Sequence, residues 1–117
     1  MQIKNIIYSR AFEKSVKKLF KKYNKIFDDL KDFESELKQS QEPLGDRLQE
    51  FSTLHIYKAR VKNSSSNTGK RGGFRVIYCI EKIKDEISIF IALYSKNEQD
   101  NVSKKEIEEI LKEEGLI

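Results

Sequence analysis

Tryptophan is absent, and cysteine, proline and histidine occur once each. The single thiol, Cys79, excludes an internal disulfide and a multi-cysteine zinc site. Its place inside an apolar run reads as a small core residue. No apolar run approaches the about 18 residues of a membrane-spanning helix, and there is no signal-peptide pattern. The chain is therefore expected to be soluble and cytoplasmic, with no membrane partner. Repeats and low-complexity tracts are also missing. The lone proline, Pro43, stands near Gly45 in a stretch from Gln39 to Asp46 that no regular element survives. That stretch reads as a connection and not a domain boundary, because neither side is long enough to stand alone. The most informative absence is of one sign of charge: from Phe51 to Ile80 there are six Lys or Arg residues and no Asp or Glu.

What is present suits one modest α+β domain spanning residues 1–117. Aliphatic and aromatic residues make up 38% of the chain, enough for one core. The formal charge is +4, and outside residues 51–80 there are 17 basic against 19 acidic residues. The positive charge is therefore local, and a local field steers polyanions. The bland alternative is a solvated, lysine-rich surface.

Ile3 to Tyr8 reads as a short strand, suited to a sheet edge. Ser9 is a candidate cap for a helix whose apolar face is Phe12, Val16, Leu19 and Phe20. Asn24 is a candidate cap for a second helix lined by Ile26, Leu30, Phe33 and Leu37. The short joint at Lys22-Tyr23-Asn24 predicts an antiparallel helical hairpin. Arg47 to Phe51 reads as a short strand or a turn. Thr53 to Val61, Phe74 to Ile80 and Ile87 to Tyr94 are predicted strands, antiparallel neighbours because their connections are short. The first has His55, Tyr57, Ala59 and Val61 opposite Leu54, Ile56, Lys58 and Arg60. In the second, Arg75, Ile77 and Cys79 oppose Phe74, Val76, Tyr78 and Ile80. Strict alternation in the third sets Ile87, Ile89, Ile91 and Leu93 against Ser88, Phe90, Ala92 and Tyr94. Lys58, Arg60, Arg75 and Tyr94 are then expected on one mixed face. Lys62 to Gly73 is a polar loop carrying Gly69, Lys70, Arg71, Gly72 and Gly73. The last helix opens on a capping box, Ser103 with Glu106, and a staple of Val102 on Ile107. Gly115 ends it. It is short and only marginally apolar, so it is expected to dock loosely or to be displaced by a partner.

The basic cluster fits phosphate chemistry. A ribose 2′-hydroxyl is an internal nucleophile for RNA cleavage. Cleavage needs that hydroxyl deprotonated and in line, the charge on phosphorus neutralised and the leaving oxygen protonated; positioned Arg and Lys supply most of this. Arg suits forked contacts with phosphate oxygens, and Lys is a point charge and, in like-charge surroundings, a proton carrier. Lys58, Arg60 and Arg75 are the candidate catalytic residues. Lys70 and Arg71 flank glycines and are candidates for touching a substrate backbone, Tyr94 for stacking on a base, and Lys96 for a second phosphate contact. Each could equally be an exposed surface charge or, for Tyr94, a half-buried strand tyrosine. His55 lies on the opposite face and reads as packing. No metal or other cofactor is required, no set of acidic metal ligands is visible, and the glycines do not form a nucleotide P-loop.

The string Gly69-Lys70-Arg71-Gly72-Gly73-Phe74-Arg75-Val76-Ile77-Tyr78, with Tyr57-Lys58-Ala59-Arg60 and Tyr94-Ser95-Lys96-Asn97-Glu98, resembles the RelE/ParE superfamily of bacterial type II toxin–antitoxin toxins, most of all its RelE/HigB-like branch. The resemblance covers nearly the whole chain. It implies a RelE-like (microbial RNase-like) fold: an N-terminal strand and helical hairpin packed on an antiparallel sheet, with a short C-terminal helix. It also implies a ribosome-dependent endoribonuclease that cuts mRNA in the decoding site, leaving a 2′,3′-cyclic phosphate. The implied partners are a cognate antitoxin, the ribosome with its mRNA and, through the antitoxin, operator DNA. Family members use basic strand residues on the scissile phosphate, matching Lys58, Arg60 and Arg75, with Lys96 as a further contact. Some add a Tyr or His near the C-terminus; this chain has neither after Tyr94, so the general base is left open between Lys58, Tyr94 and none. The alternatives are a ParE-like gyrase inhibitor, a nucleic-acid-binding module without catalysis, and a structural protein with a solubilising basic patch.

Overall fold

The computed structural model describes residues 1–66 and 70–117; Asn67 and Gly69 of the predicted basic loop lie outside the described residues. The element order is β1 (Asn5–Tyr8), α1 (Arg10–Phe20), α2 (Ile26–Gln39), β2 (Asp46–Arg47), β3 (His55–Val61), β4 (Phe74–Ile80), β5 (Ile87–Ser95) and α3 (Lys104–Glu113). The strands form one mixed sheet in the order β1-β5-β4-β3-β2. The three central strands are antiparallel as expected. The strand expected at Ile3 to Tyr8 is present as β1 at one edge, where it joins parallel to β5, and a two-residue β2 forms the other edge on β3. No described helix is long and apolar enough to cross a membrane.

The hairpin α1–α2 covers one face of the sheet. Phe12, Val16 and Leu19 of α1 and Ile26, Leu30, Phe33 and Leu37 of α2 are buried there against Ala59, Val76, Tyr78, Phe90 and Leu93. Ser9 caps α1 as expected: its Oγ accepts from the Phe12 N–H at 3.0 Å and donates to the Ile91 carbonyl at 2.7 Å. One hydroxyl thus starts the helix and ties it to the central sheet. The predicted cap of α2 is corrected. Lys25, not Asn24, holds the N-cap position and makes no side-chain capping bond. Its backbone N–H donates instead to Ser65 Oγ at 3.1 Å, so the neighbouring loop satisfies a helix-end donor.

The other face is covered by α3, and here the expectation of loose docking fails. Ile107 and Leu111 are fully enclosed against Ile56, Ile77, Cys79, Ile91 and Ala92. Two anchoring side chains suffice because the staple residue Val102 and the trailing Leu116 join the same cluster. The predicted capping bond is present, from the Glu106 N–H to Ser103 Oγ at 3.1 Å. Gly115 ends the helix at φ +73°.

The alternation expected for Ile87–Tyr94 is also corrected. Tyr78 pairs with Phe90 and Ile77 with Ala92, so Ile91 is an extra residue on β5. This is a β-bulge. Phe90 and Leu93 both pack under the helical hairpin, while Ile91, Ala92 and Tyr94 all lie on the α3 side.

Candidate functional site

Register builds the site. Arg60 on β3 lies opposite Arg75 on β4, and Arg75 lies opposite Tyr94 on β5. The three form a row across the sheet, with Lys58 two residues along β3 from Arg60. Like charges directly opposed across strands are destabilising, so fold stability gives no account of the Arg60–Arg75 pair. A cleft of about 710 Å³ is lined by Lys58, Arg60, Lys70, Arg75, Tyr94 and Lys96, together with Glu36, Asp46 and Asp100. Six of the seven singled-out side chains therefore meet at one concavity. The seventh, Arg71, does not line it; its contribution is a backbone carbonyl.

Arg75 is only 7% exposed. Its Nη1 donates to the Lys70 carbonyl at 3.1 Å and the Phe74 carbonyl at 3.2 Å, and its Nη2 to the Arg71 carbonyl at 2.7 Å. Three of the five guanidinium donors thus hold the return of the β3–β4 loop; Nε and one Nη2 hydrogen remain outside these bonds. No carboxylate neutralises it among the described residues. Burial, and then the neighbouring Arg60, push its pKa below the ordinary guanidinium value, with Tyr94 opposing. An arginine remains charged under such a shift, so the cleft floor carries a cation that the protein does not balance.

Tyr94 is buried, and its pKa is raised, first by burial and also by Asp100, against the lowering effect of Arg75. At neutral pH it is a phenol that can donate a hydrogen bond. Lys58 Nζ donates to Asn101 Oδ1 at 3.3 Å. Lys70 faces Glu36 at 3.6 Å, and Lys96 faces Asp100 at 3.6 Å. The first pair is half-exposed and Asp100 of the second stands fully in solvent, so both are weak and open to exchange for a phosphate. His55 lies in a separate depression with Met1, Pro43 and Tyr57.

The carboxylates of the cleft escaped the sequence reading. Asp46 sits opposite Lys58 in register on β2 and, among the described residues, forms no ion pair. The signal that could have found it is Gly45. Its φ is +86°, and a Cβ there would stand 2.1 Å from the Lys58 carbonyl oxygen. Only glycine permits so close an approach, and that approach carries Asp46 onto β3.

A cleft whose cations outnumber its carboxylates, floored by an unbalanced arginine, accords with the sequence family. The profile of the RelE toxin of the RelE / RelB toxin-antitoxin system matches residues 4–115. The chain belongs to the RelE toxin family. No individually curated protein matches it. As a RelE-family toxin, the chain is one half of a toxin–antitoxin system, which implies a cognate antitoxin. The RelE-like fold expected from the sequence agrees with the three helices and five-stranded mixed sheet.

Proposed function

We propose that this RelE-family toxin inhibits translation by cleaving mRNA on the ribosome, through attack of a 2′-hydroxyl on the adjacent phosphate. The observation that carries the reading is the Arg60–Arg75–Tyr94 row with Lys58 beside it. Arg60 and the free edge of Arg75 clamp the phosphate and take up its growing charge. The buried Arg75 is already oriented by three carbonyls, so little reorganisation accompanies the reaction. Lys58 supports the same charge from the next position along β3. Asp46, the cleft carboxylate without an ion pair, takes the 2′-hydroxyl proton; a carboxylate in reach is better suited to that than a protonated lysine. Tyr94, held as a phenol, donates to the leaving oxygen or stacks on a base. Lys70 and Lys96 exchange Glu36 and Asp100 for flanking phosphates. The toxin acts in the cytoplasm, its antitoxin blocks the cleft, and the pair represses its own operon through the antitoxin.

Mapping of mRNA ends after incubation with translating ribosomes tests this. Arg75→Ala is expected to lower cleavage by about 10²–10³-fold, and Asp46→Asn by about 10²–10⁴-fold. Unchanged cleavage in Arg75→Ala refutes the site. Loss of DNA supercoiling without cuts in mRNA replaces this reading with gyrase inhibition.

A further inference from the structure

A second basic surface stands apart from the cleft. Between residues 10 and 25 there are seven basic residues, Arg10, Lys14, Lys17, Lys18, Lys21, Lys22 and Lys25, and one acid, Glu13. All seven are exposed, and among the described residues none forms a side-chain ion pair. Glu114 accepts from the Arg10 backbone N–H at 3.4 Å, not from its guanidinium. Arg10, Lys14, Lys17 and Lys21 are spaced by four, three and four residues, which aligns them in one row along α1 and its C-cap.

Helix stability accounts for only part of that row: Lys17 in the last turn and Lys21 at the C-cap favour the macrodipole. Like charges three or four apart destabilise a helix, and Arg10 at the first helical position opposes the macrodipole. Steps of three or four residues separate the cations by about 4.5–6 Å along the axis, a spacing suited to successive phosphates. At the end of the row two rings are left in solvent. Phe20 is 37% exposed and Phe27 55%, edge to face with centroids 5.1 Å apart. Cations in a row beside exposed aromatics match a nucleic-acid backbone with an unpaired base to stack. A lipid surface is disfavoured, because the apolar residues Phe12, Val16 and Leu19 of α1 are buried in the core. The other side of α1 faces toward the cleft: Lys18 and Ser15 share a small groove with Tyr94, Ser95 and Glu98, and Tyr94 lines the cleft as well.

We infer that α1 and the turn into α2 form a second binding surface for RNA, which holds the backbone of a folded RNA while the cleft holds the strand to be cut. The inference rests on RNA as the substrate class, but its failure is separable from failure of the cleavage reading, because binding is measured in the Arg75→Ala background.

The probe is a fluorescein-labelled RNA stem-loop, titrated by anisotropy across a salt series. Lys14→Gln/Lys17→Gln/Lys21→Gln is expected to lower the slope of log K against log salt by about 2–3, one phosphate contact per lysine. Phe20→Leu/Phe27→Leu keeps the apolar surface but removes the rings, and is expected to weaken stem-loop binding about fivefold or more. The thermal midpoint of the triple variant stays at or above that of the parent, which separates lost binding from lost folding. An unchanged salt slope in the triple variant overturns the inference, whatever the outcome for cleavage. So does polyglutamate competing as well as the stem-loop at equal charge, with binding indifferent to Phe20→Leu/Phe27→Leu, which assigns the surface to an acidic protein partner.

Discussion

Gly45→Ala tests how closely the β2 segment is pressed against β3. The new methyl carbon would stand 2.1 Å from the Lys58 carbonyl oxygen and 2.7 Å from both Lys58 C and Ala59 Cα. All three are backbone atoms in the sheet, so no rotamer change relieves the clash. Holding a non-glycine residue at positive φ costs about 1–2 kcal/mol. Forcing neighbours apart costs a further 1–3 kcal/mol or so. Reduced freedom of the unfolded chain offsets about 0.4–1 kcal/mol. The net expectation is a loss of about 1–4.5 kcal/mol, with Tm falling by about 4–18 °C for a chain of this size. Scanning calorimetry measures the shift, and Gly115→Ala is the control. That glycine also has positive φ, +73°, but nothing lies within 4 Å of its Cβ position, so the conformational cost of about 1–2 kcal/mol and the same unfolded-chain offset apply, without the clash. If Gly45→Ala melts no lower than Gly115→Ala, the close approach of Gly45 to Lys58 is wrong, and so is the placement of Asp46.

Two further predictions concern the α3 side of the sheet. Burial pushes the Cys79 thiol from 9.0 up to about 11. A raised value means the unfolded chain loses its proton first, so this contribution is intact below pH 9 and declines as pH rises through 11, by up to about 2–3 kcal/mol. Urea midpoints against pH should therefore fall less steeply above pH 9 in Cys79→Ala than in the parent; parallel profiles would count against it. Leu111→Ala removes a fully enclosed side chain and is expected to cost about 2–5 kcal/mol. Hydrogen exchange of the α3 amides reports whether the helix is anchored: protection unchanged by this substitution would restore the picture of a loosely attached element.

The parts of the molecule legible in the sequence are those governed by short periods. Alternation alone puts Lys58, Arg60 and Arg75 on one face, and that face lines the cleft. Helical spacing locates α1 and α2, and side-chain capping locates Ser9 and Ser103. Features that depend on distant partners were not legible. The pairing of β1 with β5 joins residues more than eighty positions apart, and no local pattern distinguishes a parallel edge strand from an antiparallel one. Asp46 earns its place in the cleft through the backbone contact of Gly45 with β3, which only coordinates reveal. The anchoring of α3 was underestimated because its own apolar stripe is thin; Val102 and Leu116, just outside the helix, complete the buried cluster. Likewise, Arg75 read as a free phosphate ligand, whereas most of its donors organise the loop beside it.

The extra residue at Ile91 gives the length of the fifth strand a meaning beyond its composition. Phe90 points under the helical pair, and an unbroken two-residue rhythm would send Tyr94 the same way. With Ile91 inserted, the phenol comes out beside the arginines. A strand of equal length that ran through this point without the bulge could keep every side chain of the basic row and still turn its tyrosine into the core. Among related toxins of the same strand length, the presence or loss of this bulge would therefore report on chemistry as much as a substitution at the tyrosine itself.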